Sequence, residues 1–351
     1  MDRRVFVAMS GGVDSSVAAA LLIEQGYDVT GVTMRLLPVG DDATEGCSVR
    51  AVDDARRVCG VLGIAHQILD LRDLFEREVI GPFAHAYAHG DTPNPCVTCN
   101  ERLKFGELLA HAVSQGADQL ATGHYARMVT LADGSHRVVR GLDPNKDQSY
   151  FLYRLSQDQM RRVIFPLGGL HKRDVRSMAA RIGLPVAEKA DSQEACFAAH
   201  GEHASVVLAR QPRAGVPGTI IDESGNVLGT HGGLAHYTVG QRKGLGIGGL
   251  QEPLHVVAID AESNRLVVAS RGRLAVTCIQ ARDVVWHGAE TEDIAAAVRY
   301  RMEPVRATAT VREDSLTVIL SEPVLGVATG QSVVCYRDGA VVGGGVISCV
   351  S

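Results

Sequence analysis

A short loop near the start of the chain combines two glycines with small polar and acidic residues, in the order Ser10-Gly11-Gly12-Val13-Asp14-Ser15. Paired glycines let the backbone turn sharply and approach an anion, because they have no Cβ atom. A helix predicted to follow directly, over Ser16–Gln25, would present unpaired amides and the positive end of its dipole to that anion. The loop therefore predicts a phosphate site, with Asp14 orienting a magnesium ion held by the phosphates. It is not a Walker A motif, since no Gly-Lys-Ser/Thr follows, and a tight turn before a capped helix would explain the glycines alone.

The chain has eight cysteines, and three of them lie in polar stretches. Cys96 and Cys99 form a Cys-x-x-Cys pair in a rigid segment with two prolines, and Cys99 comes just before a predicted helix. Because a helix N-terminus lowers the pKa of a thiol, Cys99 is predicted to be reactive. Cys196 lies in a loop-like stretch, where its thiol need not be buried. The other five are predicted to be structural, as small buried cysteines are common: Cys47, Cys59, Cys278, Cys335 and Cys349.

The elements that position these residues alternate between strand and helix over the first third of the chain. Such alternation predicts a doubly wound parallel sheet with helices on both faces. After about residue 200, short β-branched runs separated by turns replace the helices. We predict a catalytic α/β domain over 1–204, a small β-rich domain over 205–275 and a β-barrel over 276–351. The predicted strands of the first domain are Val5–Met9, Val29–Met34, Ile64–Leu69 and Gln119–Thr122, and its further helices are Val49–Leu62 and Glu101–Ser114.

Length and composition set the broad class. The 351 residues are 46% hydrophobic and 21% charged, which suits two or three globular domains at roughly 100–200 residues each. No run reaches the ~20 apolar residues of a membrane span, so we expect no membrane partner and a cytoplasmic location. The formal charge of −5 is not that of a typical nucleic-acid binder. One basic window could hold phosphates or could be a solvated helix face: Arg154, Arg161, Arg162, Lys172, Arg173, Arg176 and Arg181.

The full string Ser-Gly-Gly-x-Asp-Ser resembles the loop of the ATP pyrophosphatase superfamily, which implies cleavage of ATP between its α- and β-phosphates. Further strings extend the resemblance over almost the whole chain, in family order, to the tRNA-specific 2-thiouridylases. This implies ATP-dependent 2-thiolation of the wobble uridine of tRNA, through an adenylated 2-oxygen, with release of AMP and pyrophosphate. The strings are Asn94-Pro95 with Cys99-Asn100, Ala121–Tyr125, Asn145–Tyr150, Asp191-Ser192 with Cys196-Phe197, and Tyr237–Leu245.

The resemblance also implies roles for individual residues. Cys99 corresponds to the nucleophile and Cys196 to the cysteine that carries a persulfide, supplied by a cysteine desulfurase or a sulfur-relay protein. The implied ATP contacts are Ala8, Met9, Ser10, Gly11, Gly12, Val13, Asp14, Ser15, Met34 and Gly123. The implied tRNA and base contacts are Asn94, Pro95, Cys96, His124, Lys146, Asp147, Gln148, Arg299, Tyr300 and Gln331. Arginine for phosphate and tyrosine for stacking suit single-stranded RNA.

One position departs from a common form of the family. Many members have aspartate where this chain has Cys96, and cysteine cannot replace a carboxylate as a base. Cys96, Cys99 and Cys196 could instead ligate a 4Fe–4S cluster with one open iron. We favour persulfide chemistry with Cys96 as a bystander that lines the base pocket.

Two other functions would use the same phosphate loop. An ammonia-using synthetase of the superfamily would need a glutaminase module or another ammonia source, and it leaves Cys99 and Cys196 unexplained. A non-catalytic nucleotide-binding regulator needs neither an exposed thiol pair nor an RNA-directed domain. The thiol pair therefore favours the thiolase.

Overall fold

The computed structural model describes residues 3–37, 49–191, 195–198, 203–248, 252–288 and 291–351. The chain divides into two units. The first comprises Met1–Val79, Cys96–Gly201 and Gly339–Val341, and the second comprises Ile80–Pro95, Glu202–Asp338 and Val342–Ser351. Among the helices of the described residues, none combines the length and the apolar character that crossing a membrane requires.

A five-stranded parallel sheet is the centre of the first unit, as predicted. Its strand order is β3-β2-β1-β4-β7, so the chain starts in the middle and winds outwards in both directions. Val5, Phe6 and Val7 of β1 are completely buried, because helices cover both faces of the central strand. The strands of this unit are β1 (Arg4–Ala8), β2 (Asp28–Arg35), β3 (Ala65–Asp70), β4 (Gln119–Ala121), β5 (Ala126–Thr130), β6 (His136–Arg140) and β7 (Val163–Ile164).

The hairpin of β5 and β6 was not predicted from the sequence, and it stands apart from the parallel sheet. Its strands pair antiparallel, and Ala340 from the end of the chain pairs with Val139 of β6. A signal was available, because the short loop between the two runs contains Asp133-Gly134, and runs separated by a few residues with glycine are typical of hairpins.

All three predicted helices are present, and the first begins at Val13 instead of Ser16. The helix predicted over Glu101–Ser114 begins earlier, at Pro95, because proline suits the first turn of a helix, where its missing N–H costs nothing. The α-helices are α1 (Val13–Glu24), α2 (Val49–Leu62), α3 (Arg72–Phe75), α4 (Gly81–Ala88), α5 (Pro95–Thr98), α6 (Leu109–Ser114), α7 (Gln157–Arg161), α8 (Lys172–Ile182) and α9 (His203–Arg210). Two π-helices, Glu76–Ile80 and Cys99–Leu108, continue α3 and α5.

The second unit contains a small sheet and a closed barrel, in agreement with the predicted β-rich and barrel regions. The small sheet has the order β10-β11-β8-β9 and encloses the buried side chains of Ile220, Val256 and Leu266. Its strands are β8 (Gly218–Ile221), β9 (Val227–His231), β10 (Leu254–Asp260) and β11 (Arg265–Ser270).

Six antiparallel strands form the barrel, in the order β12-β15-β14-β13-β16-β17, and β12 pairs with β17 to close it. Closure brings β17 very near β12, since a Cβ on Gly343 would lie 2.4 Å from the Trp286 ring. Glycine is therefore required at this crossing. The strands are β12 (Ala275–Trp286), β13 (Thr291–Ala297), β14 (Val305–Arg312), β15 (Ser315–Leu325), β16 (Ser332–Arg337) and β17 (Ala340–Val350).

Candidate active site

The glycine loop joins the carboxyl end of β1 to α1, where an open α/β sheet places its ligands. Gly11 has a φ of +67°, and a Cβ at this residue would lie 2.3 Å from the carbonyl oxygen of Ala51. A Cβ on Gly123 would lie 2.7 Å from the amide nitrogen of Ser15. The start of α1 is thus surrounded by backbone, and no side chain caps its first amides. This arrangement can bind an anion such as a phosphate.

Asp14, at the first turn of α1, accepts hydrogen bonds from two side chains. The Lys172 ammonium lies 2.6 Å from its Oδ1, and the Tyr125 hydroxyl donates to the same oxygen at 2.8 Å. The Asp14 side chain nevertheless remains 34% exposed. An accessible carboxylate beside a phosphate loop is a suitable ligand for magnesium, so this residue fits the metal that accompanies ATP.

The Asp191 carboxylate pairs with three cations, one of which, Lys172, also contacts Asp14. Lys146, Lys172 and Arg176 approach its carboxylate oxygens at 2.7, 2.9 and 2.7 Å. Burial raises the pKa of Asp191, but hydrogen bonds from Lys146 and Lys172 outweigh that effect and lower the pKa to about 2. Since three cations face two carboxylates, the cluster retains positive charge that can attract a polyphosphate.

Lys189 is a further cation that contacts the glycine loop directly. The Lys189 ammonium donates to the carbonyl oxygen of Gly11 at 3.1 Å and to Asp54 at 2.7 Å. Burial raises the pKa of Asp54, yet Lys189 and Arg57 together hold it below its usual value. Asp54 is itself buried in α2, so the ion pair fixes the loop against this helix.

The sequence analysis offered Lys172 and Arg176 only as members of a basic window that could hold phosphates, and it assigned no site role to Lys189 or Asp191. Lys172 and Arg176 are four residues apart on α8 and so share one face. The remaining contacts join segments far apart in the sequence, which no local pattern indicates. Within the basic window, Lys172 and Arg176 pair with Asp191. The side chains of Arg161 and Arg173 are 58% and 83% exposed, as expected for a solvated helix face.

The three polar-region cysteines lie near one another in the first unit. The Cys99 thiol is buried, Cys196 is half-buried and Cys96 reaches solvent, although protein atoms surround Cys96 closely enough for burial to raise its pKa to about 11. The charge of Cys196 raises the pKa of both other thiols, so the two predicted catalytic cysteines interact electrostatically.

The prediction that a helix N-terminus lowers the pKa of Cys99 is wrong. Burial raises the pKa of Cys99 to about 12, whereas the positive charge of Lys104 and the negative charges of Cys196 and Cys96 have smaller, opposing effects. Cys99 follows α5 and therefore lies inside a continuous helical segment, away from its free N-terminus. Desolvation consequently outweighs the helix dipole.

His124 packs against two aromatic rings. Its ring contacts Phe105 and Phe165, with centroids 5.8 and 5.9 Å away, and its Nδ1 lies 2.6 Å from the Thr122 hydroxyl. Burial, with a contribution from Lys104, lowers the pKa of His124 well below its usual value. The ring is therefore neutral at neutral pH.

The 4Fe–4S alternative concerns the same three thiols. Over the described ranges, no group of three or more histidine, cysteine, aspartate or glutamate side chains is placed to hold a metal ion. Cys96, Cys99 and Cys196 affect one another's ionisation. The choice between persulfide chemistry and a 4Fe–4S cluster stays a prediction.

Comparison with known proteins identifies the family. Family models match residues 3–200, described as "tRNA methyl transferase HUP domain", residues 207–270, "tRNA methyl transferase PRC-barrel domain", and residues 276–347, "Aminomethyltransferase beta-barrel domain". Proteins named tRNA-specific 2-thiouridylase MnmA from Moorella thermoacetica and Paramagnetospirillum magneticum are each 46% identical to this chain over 98% of its length, covering 99% and 95% of their own. The chain belongs to the tRNA-specific 2-thiouridylase family. A solved 4-thiouridine synthetase–RNA complex with bound ATP is 19% identical, covers 60% of this chain and 50% of its own, and has a TM-score of 0.37, so the sequence matches alone support the assignment.

The 2-thiouridylase resemblance assigns adenosine and phosphate contacts around β1 and β2, and the structure places them at one end of the sheet. Ala8 ends β1, and Met34 lies half-buried near the end of the adjacent β2. Met9 and Val13 are core residues whose side chains are buried, so only their backbone could contact a ligand. Ser10 is exposed at the loop.

The 2-thiouridylase string Lys146-Asp147-Gln148 makes contacts within the protein. Lys146 pairs with Asp191, Asp147 accepts from the Gly141 amide at 2.9 Å, and Gln148 accepts from the Tyr125 amide at 3.1 Å. All three side chains are half-buried. Lys146 thus belongs to the cluster around Asp191, and the tRNA contact of this string stays a prediction.

The remaining tRNA contacts implied for a 2-thiouridylase lie in the second unit. Gln331 donates to the Thr92 carbonyl oxygen at 2.6 Å, which fixes the segment that leads to the half-buried Asn94 and Pro95. Arg299 is exposed and donates to the Leu325 carbonyl oxygen at 2.9 Å, while the adjacent Tyr300 is half-buried.

Of the other described cysteines, Cys59 and Cys335 are buried, and three lie on barrel strands, namely Cys278, Cys335 and Cys349. Burial raises the pKa of Cys59 to about 11 and that of Cys335 to about 12, so these thiols are inert core residues. Cys278 and Cys349 belong to β12 and β17. Cys47 and Ser192 lie outside the described residues.

Proposed function

We propose that this chain uses ATP to replace the 2-oxygen of the wobble uridine of tRNA by sulfur. It is a tRNA sulfurtransferase of the 2-thiouridylase family. The observation that carries the chemical proposal is that one unit combines a phosphate loop with two neighbouring thiols, Cys99 and Cys196. ATP activation and sulfur transfer can therefore occur on one substrate.

The first step activates the base. The 2-oxygen of uridine attacks the α-phosphorus of ATP, which forms an adenylated base and releases pyrophosphate. In this proposal the backbone amides at the start of α1 hold the phosphates, together with Lys172 and Lys189, which contact Asp14 and Gly11 of the same loop. When bound, magnesium would supply additional charge neutralisation at these phosphates, with Asp14 as its protein ligand.

The second step transfers sulfur. The terminal sulfur of a Cys196 persulfide attacks the activated carbon and displaces AMP, which leaves the base joined to Cys196 through a disulfide. The Cys99 thiolate then attacks the Cys196 sulfur, so that a Cys99–Cys196 disulfide forms and 2-thiouridine leaves with the electron pair of the broken bond. A reductant reopens the protein disulfide for the next turnover.

Two requirements follow from this scheme. A persulfide donor, either a cysteine desulfurase or a sulfur-relay protein, must reach Cys196, whose half-buried thiol is the more accessible member of the catalytic pair. A tRNA substrate also agrees with the cytoplasmic location predicted from the sequence, which stays a prediction.

The decisive experiment is mass spectrometry of tRNA nucleosides after incubation of the protein with ATP, magnesium, a reductant and a sulfur source under anaerobic conditions. We expect 2-thiouridine, with AMP and pyrophosphate formed only when tRNA and sulfur are both present. Absence of 2-thiouridine while a known 2-thiouridylase is active in the same mixture would contradict the proposal.

Replacement of Cys96 by alanine distinguishes the persulfide reaction from the cluster alternative. If Cys96 only lines the base pocket, Cys96→Ala should retain activity to within about threefold, as expected for an exposed side chain. We also expect the anaerobically purified protein to be colourless. The measurements are the initial rate of 2-thiouridine formation and the iron content per chain.

Cys349→Ala is the matched control, because Cys349 is an exposed cysteine of the barrel. A cluster enzyme would instead be brown, would contain about four irons per chain and would lose both iron and activity on Cys96→Ala. That combination would replace the persulfide mechanism and leave tRNA thiolation intact.

A further inference from the structure

The helical segment that carries Cys99 has an unusual repeat. Residues Cys99–Leu108 form a π-helix, in which hydrogen bonds join residues five apart. Consistent with this repeat, a Cβ on Gly106 would lie 3.1 Å from the carbonyl oxygen of Glu101, five residues earlier. The burial pattern repeats in the same way: Leu103 and Leu108 are buried, whereas Arg102 and Glu107 are exposed.

This repeat places Lys104 beside Cys99. Residues five apart share a face of a π-helix, but they point roughly 140° apart in an α-helix of 3.6 residues per turn. Lys104 is therefore on the inward face with Cys99, and its side chain is half-buried. π-helical segments are frequent at functional sites, where they place a side chain that an α-helix would turn away.

Lys104 acts electrostatically on thiols, and no carboxylate among the described residues forms a salt bridge with it. Within the described part of the chain its ammonium makes no hydrogen bond or salt bridge to another side chain. Its charge acts on Cys96, Cys99 and His124. The titratable groups whose charges reach Cys99 are Lys104, Cys96 and Cys196, so Lys104 is the one cation among them.

We propose that Lys104 is a positioning residue whose ammonium stabilises the Cys99 thiolate when it forms for exchange at Cys196. The proposal rests on the sulfur-transfer scheme given above. In that exchange the Cys99 thiolate attacks the Cys196 sulfur, a new disulfide forms, and the older sulfur–sulfur bond breaks with its electron pair leaving on the transferred sulfur.

The need for such a cation follows from the burial of Cys99. A thiolate that has lost its hydration requires a nearby positive charge, or it will take up a proton. His124 is a poor base for this purpose because its pKa is well below the usual value. Lys104 therefore acts by stabilising the anion, and His124 does not take the Cys99 proton.

The test compares Lys104→Met with Lys104→Arg, which keeps the charge, and with Arg102→Met, which removes an exposed cation from the outer face of the same helix. The rate of Cys99 alkylation by iodoacetamide is measured by peptide mass spectrometry without ATP or tRNA, between about pH 7 and pH 10. We expect Lys104→Met to react about tenfold more slowly at each pH, which corresponds to a rise of one pKa unit. Lys104→Arg and Arg102→Met should react like the unmodified protein.

Single-turnover thiolation provides the second readout. Lys104→Met should slow sulfur transfer to a similar degree without changing the KM for tRNA, because Lys104 acts through Cys99. An unchanged alkylation profile in Lys104→Met would overturn the proposal, as would an equal loss in Lys104→Arg. If the unmodified protein makes no 2-thiouridine but Lys104→Met still shifts the alkylation profile, the thiolation proposal fails and the role of Lys104 stands.

Discussion

Cys196→Ser is expected to abolish persulfide loading, whereas Cys99→Ser should accept sulfur and then fail to release product. A hydroxyl cannot carry sulfane sulfur, so serine at 196 removes the carrier itself. Serine at 99 leaves the half-buried Cys196 thiol in place but removes the thiolate needed for exchange. Both variants should lower the rate of 2-thiouridine formation by about a thousandfold or more, as expected on loss of a reacting group.

Loading is measured by the mass of the intact protein after treatment with a sulfur donor, followed by peptide analysis that locates the added 32 Da, the mass of one sulfur atom. Cys349→Ser serves as the control for nonspecific modification of an exposed thiol. Cys99→Ser should also accumulate tRNA joined to Cys196 through a disulfide that a reductant cleaves. A persulfide found on Cys99 in the unmodified protein would reverse the two roles.

The unequal burial of the two thiols supports the assignment of Cys196 as the sulfur carrier and Cys99 as the attacking thiol. An external donor must reach the carrier cysteine, and Cys196 is half-buried while Cys99 is buried. With a pKa raised to about 12, Cys99 is mostly protonated and is therefore a poor acceptor of sulfur from an external donor. Reaction at Cys99 would therefore be confined to the assembled site, which limits loss of the transferred sulfur to solvent.

The elements that hold this site could largely be predicted from the sequence because their signals are local. The buried run that forms β1, the glycine loop and the regular alternation of strand and helix all lie within short windows, and the sheet follows from them. The alternating runs of β14 and β15 likewise predicted barrel strands. Helix starts were less accurate, as the early start at Pro95 illustrates.

The electrostatics of the site could not be predicted in the same way. The pKa of Cys99 depends on how many protein atoms surround its thiol, which the sequence around Cys99 does not specify. The contact of Lys172 with Asp14 joins residues 158 positions apart. The π-helical repeat that brings Lys104 beside Cys99 is also absent from any hydrophobic periodicity, because the expected repeat is that of an α-helix.

Asp14→Ala is expected to lower the rate of AMP formation by about a hundredfold or more while the fold persists. The Asp14 carboxylate orders the Lys172 ammonium and the Tyr125 hydroxyl beside the phosphate loop, and it is the ligand proposed for magnesium. Loss of one preorganised group at such a site typically costs about 10²–10³ in rate. Lys172 remains paired with Asp191 in the variant, so no buried cation is left without a counter-charge.

Asp14→Asn separates the charge of this side chain from its hydrogen bonds. Asparagine keeps an oxygen that can accept from Tyr125 and Lys172, but it has no negative charge for a metal ion. If Asp14 orients magnesium, both variants should be defective in tRNA-dependent AMP release, and Asp158→Ala, which removes an 89% exposed carboxylate, should be fully active. Thermal unfolding of each variant reports whether the fold is retained. Normal AMP release by Asp14→Asn would assign the residue to ordering Lys172 and Tyr125 alone, since hydrogen bonding would then suffice without the charge.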